Sequence, residues 1–156
     1  MPTKFPKKIR LDLEAYRELL NPCAITICTH NRMDLFKHHE FGNYCVRLLK
    51  KLCDECSFRI FAYCFMPDHI HLLIQGDGTI SIINLIQRFK SISTLNSRRF
   101  GFLGRIYQPR FYDHFLRKED DIEKQAKYIL ENPIRKRLAE TIGGYPLSGS
   151  MVFNIQ

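Results

Sequence analysis

The chain has 156 residues, is 45% hydrophobic, and carries 24 Lys and Arg against 16 Asp and Glu, for a net charge of +8. That length suits a single domain, 1–156, with a core that removes roughly two-thirds of the unfolded chain's surface from water. No stretch approaches the ~20 unbroken apolar residues of a membrane span, and the proline-broken start "MPTKFPKKIR" lacks the apolar run of a secretory signal, so a cytoplasmic location is expected.

In chain order, a basic N-terminal arm over about 1–20 comes first. "CAITICT" (23–29) is β-branched and bounded by turn residues, which predicts a strand. From Phe41 the apolar positions Phe41, Tyr44, Cys45, Leu48, Leu49, Leu52 and Cys56 recur every three or four residues, a helical stripe. "FRIFAYCFM" and "HIHLLIQ", split by Pro67-Asp68, predict an antiparallel hairpin. Thr79 or Ser81 can cap a second helix bearing Ile82, Leu85, Ile86, Phe89 and Ile92 on one face. A further strand is expected over about 106–116. Asp120 or Asp121 can cap a last helix that runs to Asn132 and stops before Pro133. "GGYPLSGS" predicts a loop into a C-terminal tail over about 143–156.

The order strand, helix, strand, strand, helix, strand, helix predicts an α+β fold with a ferredoxin-like antiparallel sheet. The first crossover suits two parallel strands with a third inserted between them. The six cysteines fall mostly at core positions, where a thiol acts as a small hydrophobe. "CDEC" (53–56) lacks the second pair that a structural zinc site needs.

The basic residues are grouped: Lys4, Lys7, Lys8 and Arg10; Arg47, Lys50 and Lys51; Arg98, Arg99, Arg105 and Arg110; Arg117 and Lys118; Arg135, Lys136 and Arg137. A polyanion is the natural partner, since each phosphate neutralised releases counterions. An ordinary basic surface would share that composition.

The informative stretch is "CFMPDHIHLLI" (64–74). Residues two apart on a strand share a face, so His69, His71 and Leu73 lie on one side while Ile70, Leu72 and Ile74 face the core. Two imidazoles side by side can bind a divalent cation; two partly buried histidines satisfied by backbone or solvent would give the same pattern.

"YCFMPDHIHLLI" resembles the His-hydrophobic-His segment of the HUH endonucleases, and within them the single-tyrosine transposases that act on single-stranded DNA. Asp68 stands where that family more often has Asn. "YQPRFYDHFLR" (107–117) resembles the Trp-Gln-x-x-[Phe/Tyr]-x-[Asp/Glu]-His-x-x-Arg block of the REP-associated branch, with Tyr107 in place of Trp. "KYILENPIR" (127–135) is similar to that branch's Tyr-Ile-x-x-Asn-Pro-x-[Arg/Lys], and "ITICTHNR" looks like its first strand.

The resemblance implies an HUH-type transposase that recognises DNA hairpins, cuts a single strand and rejoins it through a 5′-phosphotyrosine. It implies Tyr128 as nucleophile, and His69, His71 and Asn132 as ligands of Mg²⁺ or Mn²⁺. In insertion-sequence relatives a Gln stands where Asn132 does. His114 is a candidate for a metal-binding or supporting role, or equally a hydrogen-bonded structural residue. Arg98, Arg99, Arg105, Arg110, Arg135, Lys136 and Arg137 would follow the DNA backbone in a groove. A homodimer associated with the nucleoid is expected. Two other readings remain: a non-catalytic hairpin-binding regulator, and a small metallohydrolase using the His pair with a carboxylate such as Asp113.

Overall fold

A computed structural model describes residues 19–117 and 120–155; most of the basic N-terminal arm and Lys118 lie outside the described residues. Five strands form one sheet: β1 (Cys23–Cys28), β2 (Arg59–Met66), β3 (His69–Gln75), β4 (Tyr112–Phe115) and β5 (Ser148–Gly149). The order across the sheet is β4-β1-β3-β2-β5, with every neighbouring pair antiparallel. β1 and β2 therefore run parallel with β3 inserted between them, as the crossover length implies.

Among the described residues four α-helices accompany the sheet: α1 (His39–Glu55), α2 (Ile82–Ser97), α3 (Ile122–Leu130) and the single turn α4 (Asn132–Arg135). Ser81 Oγ accepts from the Asn84 amide at 3.1 Å to start α2. Asp121 Oδ1 accepts from the amides of Glu123 and Lys124, at 2.9 and 3.2 Å, to start α3. These bonds satisfy amides that the first turn of a helix leaves without partners.

The sheet has apolar cover on both sides. Ile70, Leu72 and Ile74 are fully buried with α1 and α2 in the main core. Leu73, on the opposite side of β3, joins Ala62, Cys64 and Met66 of β2 and Ala126, Ile129 and Leu130 of α3. Burying one such aliphatic side chain stabilises the fold by roughly 1.5–3 kcal/mol. The period-two alternation of β3 thus sends the histidine face toward α3. A bulge in β2 places Ile60 opposite Ile74 and Ala62 opposite Leu73, with Phe61 as the extra residue.

Three boundaries differ from expectation. Only 112–115 of the 106–116 segment pairs as a strand; Tyr107 instead makes a lone bridge to Thr29. α3 ends at Leu130, and Asn132 opens a new turn with Pro133 in its first positions, where a missing amide costs nothing. The "GGYPLSGS" loop contains β5, which pairs with Tyr63 and Cys64. Gly149 is required there, because a Cβ would sit 2.6 Å from the Tyr63 hydroxyl.

Candidate active site

β3 carries His69 and His71 on the face that α3 covers, and their Nε2 atoms stand 3.0 Å apart. Each ring's other nitrogen is held. Asp68 Oδ1 lies 2.7 Å from His69 Nδ1, and Thr26 Oγ1 lies 3.1 Å from His71 Nδ1. Arg32 Nε donates to Asp68 Oδ2 at 3.0 Å, and its Nη1 to the Cys28 sulfur at 3.0 Å. Register explains the second contact, because Thr26 is directly opposite His71 and Cys28 opposite His69. The turn that carries Arg32 is backbone-strained: Asn31 and Arg32 have φ of 52° and 54° in succession.

An ionised Asp68 only accepts, so His69 carries its proton on Nδ1 and turns a lone pair inward. The hydroxyl of Thr26 donates or accepts, so it suits either tautomer of His71. With no cation, the proton on His71 Nε2 faces His69. With a cation bound, that proton belongs on Nδ1 and Thr26 accepts it. His71 is held neutral, its proton affinity pushed down to about 4 by burial and then by the electrostatic influence of its neighbours His69, Arg135 and Arg32. Asp68 is drawn below the usual carboxylate range: burial opposes this, but the hydrogen bond and charge of His69 and the Arg32 guanidinium outweigh it.

The donor set fits a metal. Two nitrogens at right angles on an ion about 2.1 Å from each are about 3 Å apart, the separation observed here. Hydrogen-bonded outer nitrogens are the usual support for ligating imidazoles. No group of three or more His, Cys, Asp or Glu among the described residues can hold a metal. A third protein donor would therefore be neutral. Asn132 is 7% exposed, and its side-chain amide makes no hydrogen bond among the described residues.

Tyr128 is 60% exposed on α3, and its hydroxyl has no hydrogen-bond partner among the described residues. The Arg135 guanidinium lies 4.1 Å over its ring centroid and donates from Nη2 to the Tyr128 carbonyl at 2.8 Å. The same guanidinium exerts its charge on His71 and on Cys64, the residue opposite His71 on β2.

The other expected residues are dispersed. His114 sits on edge strand β4 opposite Ala24, one row removed from His71, and makes no contact with either imidazole's nitrogens. Asp113 is opposite Ile25, whose side chain is in the main core, so it lies on the other side of the sheet from the His pair. That removes it as a carboxylate partner for those imidazoles. Arg98 and Arg105 line a cleft of about 660 Å³ with Lys90, where α2 meets the 104–109 segment. α2 packs in the main core on one face of the sheet and α3 on the other, so the cleft of Arg98 and Arg105 and the turn of Arg135 follow helices on opposite faces. All six cysteines are buried and unpaired, and burial pushes the Cys53 thiol up to about 12, which suits packing rather than zinc.

The sequence motifs assign no site role to Thr26, Arg32 or Asp68. Asp68 was visible as a departure from Asn; Thr26 was visible only as a β-branched residue in a strand. No helix among the described residues is long and apolar enough to cross a membrane.

Comparison with known proteins shows the family and the fold. Residues 22–132 match the family model described as "Transposase IS200 like". A Haemophilus influenzae protein named as a REP-associated tyrosine transposase is 31% identical over 110 residues, covering 64% of this chain and 62% of its own length. The REP-associated tyrosine transposase of Escherichia coli K12 is 30% identical over 101 residues, covering 63% of this chain and 58% of its own. The chain thus spans less than two-thirds of these curated relatives. A solved structure of a REP-associated tyrosine transposase bound to a REP hairpin superposes with a TM-score of 0.66 at 20% identity, over 92% of this chain and 82% of that one.

Proposed function

Because this chain belongs to the IS200-like transposase family, we propose that it recognises hairpins in single-stranded DNA and cleaves and rejoins the adjacent strand through Tyr128. The observation that carries this reading is the pair of imidazoles with Nε2 atoms 3.0 Å apart on the sheet face covered by the helix of Tyr128. The E. coli relative's name and the hairpin in the superposed structure point to the same substrate class.

His69, His71 and Asn132 would hold Mg²⁺ or Mn²⁺, which supplies Lewis-acid polarisation and orientation of the scissile phosphate. The protein's own residues do the rest. Asp68 and Thr26 fix the imidazole rings, and Arg32 fixes Asp68. The Tyr128 oxygen attacks phosphorus: the O–P bond forms as the P–O3′ bond breaks, giving a 5′-phosphotyrosine and a 3′-OH. The phenolic proton passes to solvent, and the departing 3′ oxygen takes one from solvent. One phosphodiester replaces another, so rejoining needs no nucleotide cofactor. Arg98, Arg99, Arg105, Arg110, Lys136 and Arg137 would contact phosphates, and a homodimer fits the reading by analogy alone.

The deciding experiment uses Tyr128→Phe. The ring is kept, so the variant should fold and bind hairpin DNA normally, while cleavage falls by orders of magnitude. With the unaltered protein, DNA labelled 3′ of the cut should stay attached under denaturing conditions. Cleavage by the Phe variant without an adduct would mean activated water attacks instead. Hairpin binding with neither cut nor adduct would make the protein a regulator.

A further inference from the structure

Resting on the reading of Tyr128 as the attacking group, we propose that Arg135 is a positioning residue that holds the Tyr128 ring for attack, rather than a contact to the DNA backbone. Its guanidinium is already committed on its face and its edges. The face lies 4.1 Å from the Tyr128 centroid, Nη2 donates to the Tyr128 carbonyl at 2.8 Å, and Nη1 is 3.9 Å from Glu131 Oε2. A phosphate-tracking arginine keeps its fork open for paired hydrogen bonds to oxygen. Arg98 and Arg105 do so, with no acidic partner among the described residues.

Tyr128 needs such a clamp. Its ring is largely in solvent, touches no other aromatic ring and has no partner for its hydroxyl among the described residues. An exposed ring of that kind changes rotamer on the picosecond to nanosecond scale. In-line attack needs the oxygen held about 3–3.5 Å from phosphorus, and small misplacements cost about 100-fold.

The break between α3 and α4 is what makes the clamp possible. Seven residues of unbroken helix separate two positions by about 10.5 Å along the axis. Ending α3 at Leu130 and restarting at Asn132 turns Arg135 back over Tyr128 while the Arg135 amide still bonds the Glu131 carbonyl at 3.0 Å. Glu131, also 3.8 Å from Lys127, steadies the guanidinium from the far side.

The test compares Arg135→Ala and Arg135→Lys in the full chain, with an oligonucleotide carrying a hairpin and single-stranded flank from beside its own gene. Ring resonances of Tyr128, assigned by their loss in Tyr128→Phe, should move in the Ala variant and return partway in the Lys variant. Affinity and its salt dependence should be unchanged, while single-turnover cleavage falls about 10- to 100-fold in Ala and recovers partly in Lys. Unmoved ring resonances would overturn the clamp. So would an unaltered single-turnover rate with a salt slope reduced by about 0.7, the signature of one lost phosphate contact. If the unaltered protein leaves no adduct, the role in attack falls with the transposase reading; ring resonances that still respond to Arg135 then show that the reading failed and the contact did not.

Discussion

Thr26 on β1 sits directly opposite His71 on β3, and its hydroxyl lies 3.1 Å from His71 Nδ1. This contact sets which nitrogen of His71 turns toward His69. Thr26→Val keeps the β-branched shape and removes the hydroxyl. Binding of Mn²⁺, followed by calorimetry, should weaken about 10- to 100-fold, the usual effect of losing a partner behind a ligand. Unchanged binding would mean that His71 is not a ligand or needs no orienting.

The donor set has two imidazoles and no carboxylate, so its charge is neutral. A hard cation should be held weakly by the protein alone and much more tightly once phosphate oxygens join it. We expect EDTA to abolish cleavage and Mg²⁺ or Mn²⁺ to restore it, with His71→Ala inactive yet folded. Titration of Mn²⁺ with and without single-stranded DNA should show at least a tenfold gain in affinity with DNA. Equal affinity would point to an acidic ligand in the site.

Acid should destabilise the metal-free fold in a defined window. His71 binds its proton at about 4 in the folded state against an ordinary 6.5. Between those values the unfolded chain holds more protons, so stability is full above about 6.5 and declines as pH falls toward 4. The loss from this group is of order 3 kcal/mol at most, and less to the extent that water reaches the ring. Asp68, also drawn down, adds a loss in the same direction at still lower pH. Denaturant midpoints of the unaltered protein and His71→Phe, measured in EDTA from pH 7 to 4, should show the slope flattened in the variant.

Salt should separate the basic groups. Each phosphate contact to single-stranded DNA contributes about −0.7 to the log–log slope of affinity against salt. Arg98→Glu and Arg105→Glu, in the cleft beside Lys90, should flatten that slope by more than one unit together. A slope near zero in the unaltered protein would make the net charge incidental.

Much of this was readable from the chain. The two-residue period of β3 fixed the shared face of His69 and His71, because the pleat permits no other arrangement. Ser81 and Asp121 were visible as caps, since short polar side chains before an apolar stripe have a local job. What was hidden depended on register or on very short elements. The bond of Thr26 to His71 requires knowing which residue of β1 meets which of β3. The same holds for Asp113, whose side of the sheet is set by pairing with Ile25. β5 is two residues long, too short for any period. The break at Glu131 was misread because Pro133 looks like a stop signal and is equally at home in the first turn of a new helix.

The bulge at Phe61 acts as a phase joint in the hairpin. Toward Pro67-Asp68 the pairing is pinned by the turn, from Ala62–Leu73 to Met66–His69; beyond it, only Ile60–Ile74 and Arg59–Gln75 remain. Phe61 and Ala62 both face the α3 side of the sheet, while Ile60 faces the main core with its partner Ile74, so removing Phe61 would let the ladder run without a skip and leave Ile60 on its present side. The pinned half cannot move without breaking the turn, so the cost of the deletion is the packing of the Phe61 ring, which lies with Ala62 and Leu73 and 6.1 Å from the Phe153 ring. Changes in chain length on that side are thereby absorbed at the far end of the sheet, and the spacing of the two imidazoles is insulated from them.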